Sequence, residues 1–200
     1  VFALLGAAES IRSGTTCILE IERDIPNYVE SLERTGMRLA LAEYVEDIDI
    51  DLARQGEYKF IKHNADLGLC KSADLIEGWH GRAGGRIICK TSPSTPEYCS
   101  PYLLNGCRDM AEKYDIGSTV HLSESYNEVQ AVMGIRGVRP TQYLNENGAL
   151  GSRVIAAHCR YLDQSEIELM GKVGANVSFN PAIAARRGAA APVSDLEIAG

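Results

Sequence analysis

The sequence predicts an α/β protein with parallel strands. Short runs rich in β-branched and apolar residues recur along the chain, and between them apolar residues return at helical spacing. Strand, helix and strand in succession force neighbouring strands to run parallel through right-handed crossovers. A third observation removes some α/β classes: the chain has no G-x-G-x-x-G, no P-loop pattern and no G-x-S-x-G. Dinucleotide, triphosphate and nucleophile-elbow readings therefore lack an anchor. Periodicity alone leaves a doubly wound sheet and a barrel both open.

Residues 2–11 read as a helix that ends at the Ser13-Gly14 break, and Thr16-Cys17-Ile18-Leu19-Glu20-Ile21 reads as the first strand. Pro26 opens the next helix, in which Tyr28, Val29 and Leu32 share a face, and Gly36 stands where a helix end favours glycine. Further strands are expected at 38–44, 86–90, 117–122, 153–158 and 175–179, which makes six. Leu103, Cys107, Met110 and Tyr114 mark one intervening helix, and Ile167, Met170 and Val173 another. Segment 45–85 is longer and less regular. A helix around 73–79 and a glycine-rich turn at 81–85 make it an elaborated connection between a strand and the next. The chain opens at Val1 inside an apolar stretch and stops at Gly200 directly after the helix-like 192–199. Natural termini are usually polar and loosely packed, so the reading is of an internal piece of a longer frame.

Hydrophobic residues make up 45% and charged residues 24% of the 200, an ordinary globular balance suited to one domain. The net charge of -7, with no basic cluster larger than Arg186-Arg187, would repel a phosphate backbone and excludes nucleic acid as the expected partner. No apolar run approaches the ~20 residues of a membrane-spanning helix, and the start lacks a signal-peptide pattern. No membrane partner and a cytoplasmic location are the expectation. The six cysteines form no C-x-x-C pair, so buried free thiols are expected rather than a zinc knuckle or redox site.

Two of the four histidines occupy equivalent places: His121 in Val120-His121-Leu122-Ser123-Glu124 and His158 in Ile155-Ala156-Ala157-His158-Cys159. Each closes a predicted strand, and the C-terminal rim of a parallel sheet is where ligands bind. About one βα unit separates them, so they belong on neighbouring strands. Glu124 follows His121 by three residues, close enough for its carboxylate to share the pocket and exchange a proton with an attacking water. His63 and His80, in the irregular segment, carry no such signal. Trp79 reads as packing, Arg186-Arg187 as a solvated loop pair, and the carboxylates of Glu43-Tyr44-Val45-Glu46-Asp47 as solvated charge.

His121-Leu122-Ser123-Glu124-Ser125, followed by Glu128-Val129, resembles the H-x-x-E segment on barrel strand five of the metal-dependent amidohydrolases, in their cytosine-deaminase-like aminohydrolase and chlorohydrolase branch. Ala157-His158-Cys159 with Leu162 and Glu166-Ile167 resembles strand six, and Ser13-Gly14-Thr15-Thr16 resembles strand two. Val177-Ser178-Phe179-Asn180-Pro181, with Gly188 and Ala191-Pro192-Val193, resembles strand seven and its loop. Each motif is weak alone, but the ordered set spans nearly the whole chain.

The resemblance implies a partial (β/α)8 barrel of about six parallel strands, family strands two to seven, with 1–200 as one incomplete barrel domain truncated at both ends. It implies that His121 is a metal ligand, that Glu124 shuttles a proton between the activated water and the ring nitrogen or leaving group, and that His158 hydrogen-bonds the attacking oxygen. The cofactor would be one divalent ion, zinc ahead of iron. The substrate would be a small nitrogen heterocycle that loses an amino or halo substituent, with amide or cyclic-amide hydrolysis, or an inert barrel-derived binding protein, as the alternatives.

The family's metal site also needs a His-x-His on strand one and an aspartate on strand eight. Neither is in this sequence, so the 200 residues alone are expected to be inactive. An incomplete barrel leaves strand edges unpaired, and self-association to a homo-oligomer is expected. Two departures bear on the substrate. Ser94 stands where adenosine-type deaminases of this branch place a substrate-contacting histidine, and Asn180-Pro181 runs into Ala182-Ile183 rather than the usual Ser-Asn pair.

Overall fold

The computed structural model describes residues 2–200. Helix α1 (Phe2–Arg12) leads into strand β1 (Cys17–Glu22). A 3-10 turn at Ile25–Asn27 and the short α2 (Val29–Glu33) precede β2 (Arg38–Val45). After α3 (Ile50–Ala53), α4 (Lys62–Trp79) and the distorted single turn α5 (Arg82–Gly85) come β3 (Ile87–Cys89) and β4 (Ser92–Pro93). The remaining order is α6 (Pro101–Lys113), β5 (Ser118–Leu122), α7 (Tyr126–Arg136), α8 (Pro140–Glu146), β6 (Val154–His158), α9 (Gln164–Val173), β7 (Asn176–Ser178), α10 (Pro181–Arg187) and α11 (Val193–Ala199).

Every strand pairing is parallel, with β1 on β2, β2 on β3 and β4, β5 on β6, and β6 on β7. β3 and β4 are two halves of one strand position, interrupted between Cys89 and Ser92. A parallel bridge from Thr91 to Ser118 joins this strand to β5, and His121 N–H donates to Ser94 O at 3.0 Å. Six strand positions therefore follow one another in sequence order with no reversal. A doubly wound sheet reverses its order at a switch point, whereas a barrel wall is laid sequentially. The expected six strands appear at the expected places.

The helices are anchored by local chemistry. Ser100 caps α6 by accepting from Leu103 N–H, with Pro101 at the first helical position. Asp163 and Glu166 form a reciprocal capping box on α9, which ends at Gly174 with φ 68°. α4 lies on β2 where Gly68 lets the backbone come so close that an added Cβ would meet the Val45 side chain at 3.0 Å. One apolar cluster joins β5 and β6 to α6, α8 and α9 through Leu103, Leu104, Val120, Leu122, Leu144 and Met170. A second ties β2 and β3 to α2 and α4 through Val29, Leu32, Leu39, Leu41, Leu75 and Ile87. No helix among the described residues is long and apolar enough to cross a membrane.

Several local expectations change. The helix expected around 73–79 begins at Lys62, because its buried face there is built from Ala65, Gly68 and Ser72, which carry no apolar signature. Arg186 and Arg187 close helix α10 instead of lying in a loop. Glu43 and Asp47 are buried rather than solvated: Glu43 accepts from the backbone of Asp24 (2.7 Å) and Ile25 (3.3 Å), and Asp47 from Ser100 N–H (2.8 Å) and its hydroxyl. Of the cysteines, Cys89, Cys99, Cys107 and Cys159 are buried free thiols, whereas Cys17 and Cys70 are exposed.

Candidate active site

His121 is the penultimate residue of β5 and His158 the last of β6, in register so that His158 pairs with Leu122. Side chains alternate across a strand, and His121 stands between Val120 and Leu122, which both belong to the apolar cluster behind the sheet. The His121 imidazole thus lies on the sheet's other face, and His158, whose φ of 74° breaks the alternation at the end of β6, brings its ring alongside. Their rings stack with centroids 5.5 Å apart. Tyr44, at the end of β2, meets His121 edge-on at 5.9 Å, and the Arg23 guanidinium lies 5.0 Å from the Tyr44 ring centre.

The proton positions follow from the neighbours. His121 Nδ1 lies 3.2 Å from the Ser94 carbonyl, so Nδ1 carries the proton and Nε2 keeps its lone pair. His158 Nδ1 faces the amide nitrogen of Asn180 at 3.4 Å. An amide NH₂ donates, which leaves the proton on Nε2 of His158. That Nε2 lies 3.9 Å from Glu124 Oε2. Burial holds the His158 imidazole below the usual histidine range; Glu124 pulls the other way, while His121 and Arg160 add to the depression.

The loops behind these strands are tightly constrained. Ser123 (φ 48°), His158 (φ 74°) and Cys159 (φ 51°) are non-glycine residues in the left-handed region. Such conformations cost about 1–3 kcal/mol each and persist only where surrounding bonds over-determine them. Here they do: the Glu128 carboxylate takes Ser123 N–H at 2.6 Å and Glu124 N–H at 2.7 Å, and Ser123 O accepts from the backbones of Arg160 and Tyr161. Glu124 is thereby fixed at its backbone while its side chain stays 33% exposed beside His158.

Ser94 is fully buried, with its Oγ 3.6 Å from Cys99 Sγ, so its carbonyl rather than its hydroxyl reaches His121. His80 takes a structural bond from Cys89 N–H at 3.0 Å. Arg160, which no sequence pattern singles out, places Nη2 at 3.6 Å from Glu124 Oε1 with its side chain only 3% exposed.

Residues 1–195 match the model of the amidohydrolase family. The chain belongs to the amidohydrolase family. It is 35% identical over 179 residues to a 5'-deoxyadenosine deaminase of Methanothermobacter thermautotrophicus, covering 90% of this chain and 39% of that protein. It is 29% identical over 178 residues to a 5-methylthioadenosine/S-adenosylhomocysteine deaminase of Desulforamulus reducens, covering 89% of this chain and 38% of that protein. The chain therefore spans about two fifths of these curated relatives. Among solved structures, the zinc-complexed atrazine chlorohydrolase of Arthrobacter aurescens TC1 superposes with a TM-score of 0.87 at 21% identity, over 99% of this chain and 46% of that one. The sequential parallel wall of this amidohydrolase is a partial (β/α)8 barrel, and the rim bearing His121 and His158 is the C-terminal face on which such barrels build their sites.

Proposed function

We propose that this amidohydrolase chain carries part of the active site of a metal-dependent hydrolase that removes an amino or halo substituent from a nitrogen heterocycle. The observation that carries this reading is the stacked pair His121 and His158 on adjacent strand ends, with Glu124 beside His158. The names of its relatives, adenosine-derivative deaminases and an atrazine chlorohydrolase, support the heterocyclic substrate class.

A divalent metal, zinc ahead of iron, would supply Lewis acidity that lowers the pKa of water toward ~7. The donor chemistry of His121 fits: its Nδ1 is turned to a backbone carbonyl, the arrangement that orients a metal-ligating imidazole and leaves Nε2 available. Among the described residues no three His, Cys, Asp or Glu side chains gather to hold an ion, so in this reading His121 is one ligand of a larger set.

The chain's own residues divide the remaining work. Glu124 accepts a proton from the attacking water and returns it to the ring nitrogen or the departing amine. His158, neutral through burial, offers Nε2–H to the attacking oxygen and to the tetrahedral adduct. Asn180 holds that tautomer, and the Glu128 bonds to Ser123 and Glu124 fix the base in register with it.

The test is metal content and turnover of amino- and chloro-substituted pyrimidines, purines and triazines by this chain carried in its complete reading frame. About one metal per chain, with turnover lowered roughly 10²–10⁴-fold in Glu124→Gln, is the expected result. A protein that binds no metal, or that turns over unchanged with Glu124→Gln, refutes the assignment.

A further inference from the structure

We propose that Arg160 is a positioning residue: with His158 it brackets the two oxygens of the Glu124 carboxylate and holds the proton shuttle in place for the reaction. This deepens the hydrolase reading above and rests on it. Glu124 Oε1 lies 3.6 Å from Arg160 Nη2, and Oε2 lies 3.9 Å from His158 Nε2. Both distances exceed a hydrogen bond, so each oxygen keeps lone pairs with which to take a proton from water. The attraction that remains is electrostatic, and it comes from a cation whose side chain is only 3% exposed and therefore weakly screened. No other carboxylate pairs with Arg160 among the described residues.

The backbone sets the spacing of the pair. The peptide group between Ser123 and Glu124 is gripped from both sides: its carbonyl accepts from Arg160 N–H at 3.1 Å and from Tyr161 N–H at 3.2 Å, and its N–H donates to Glu128 at 2.7 Å. Arg160 and Glu124 are thus tied to one planar unit, and His158 and Cys159 take left-handed dihedrals on the way to it. A strut for the loop would use its guanidinium differently. Arg139 spends a donor on the Tyr161 carbonyl at 2.7 Å, whereas Arg160 Nε and Nη1 are buried with no hydrogen-bond partner among the described residues. The nitrogen of Arg160 that does face an acceptor, Nη2, faces the proton shuttle.

The experiment is a double-mutant cycle in the complete reading frame: wild type, Arg160→Met, Glu124→Gln and the double variant, with Arg160→Lys as the conservative change. Steady-state and single-turnover rates are read on amino- and chloro-substituted purines and triazines, beside metal content and melting temperature. Arg160→Met is expected to lower kcat roughly 10- to 100-fold with KM nearly unchanged, and Arg160→Lys to recover part of the loss. In the Glu124→Gln background the same substitution should change the residual rate by less than about 2-fold, because a residue that acts through Glu124 has nothing left to position. Arg160→Met should bind metal as wild type does and melt no lower, since it replaces an under-satisfied buried cation with an apolar chain. An equal loss in both backgrounds, a change in KM alone, or an unchanged kcat in Arg160→Met overturns the proposal and leaves the hydrolase reading standing. So does a melting temperature well below wild type in both Arg160 variants, which assigns the side chain to structure. A wild type that binds no metal and turns over none of these compounds refutes the hydrolase reading, and the positioning role falls with it.

Discussion

The rings of His121 and His158 stack on one another, tilted by 25°, although they belong to separate strands of one sheet. Each ring is oriented by a partner on a third segment, Ser94 for one and Asn180 for the other. Replacing His158 by Ala should therefore remove a donor to the attacking oxygen with little effect on substrate capture. The expected result is a fall in kcat of roughly 10²–10³-fold with KM nearly unchanged. Steady-state kinetics on the complete reading frame give the answer, and an unaltered kcat would contradict the assigned role.

Glu166 is 2% exposed and accepts from Arg139 Nε at 2.8 Å, from Thr141 N–H at 3.1 Å and from Asp163 N–H at 3.1 Å. Removing it strands two backbone donors and takes from Arg139 one of its two carboxylate partners, leaving Asp163 Oδ2 at 2.8 Å and the Tyr161 carbonyl at 2.7 Å. Glu166→Ala should lower unfolding stability by about 3 kcal/mol, read from urea denaturation with an unchanged m-value.

Two glycines should respond with opposite signs. A Cβ on Gly117 would sit 2.5 Å from Arg153 O and 2.7 Å from Lys90 Nζ, where β5 meets β6. Gly117→Ala is expected to destabilise by about 1–3 kcal/mol. Gly134, inside α7 with nothing within 4 Å of an added Cβ, should gain about 0.5–1 kcal/mol as Ala. Melting curves of the two variants side by side test both signs.

Burial, followed by the nearby Glu97 carboxylate, pushes Glu128 up to about 8 against the pull of its backbone donors. A carboxyl raised on folding favours the folded state while protonated. Its stabilising contribution is complete below the unfolded value of about 4.3 and is lost as pH rises through about 8. Glu128→Gln, which cannot ionise, should gain in melting temperature relative to wild type as pH is raised from 5 to 8. A constant difference across that range would show that Glu128 does not titrate there.

Most strands were legible because they combine β-branched residues with a flanking break, β2 because Leu39, Ala40, Leu41 and Ala42 form a short apolar run after Gly36, and the two rim histidines because strand ends carry their own signal. The first three turns of α4 were hidden: they bury Ala65, Gly68 and Ser72, and small residues allow close approach to β2 without producing an apolar period. Glu43 and Asp47 look like surface charge until the chain folds and turns backbone N–H groups toward them. Arg160 gives no sign in one dimension, since its position depends on two successive left-handed residues whose identities, His and Cys, do not announce that backbone. Composition and spacing report burial and periodicity; they do not report where an unusual dihedral angle will aim a side chain.

The sequential strand order also fixes how the chain can be made. During synthesis each new strand emerges when its immediate neighbour is already outside the ribosome, and no strand waits for a distant segment to complete its ladder on the earlier side. At ribosomal speeds the interval between one docking and the next is on the order of seconds. The wall grows at a single advancing edge, from β1 toward β7. His121 and His158 are consequently brought together late, after the N-terminal cluster around Leu39 and Leu41 has had time to pack.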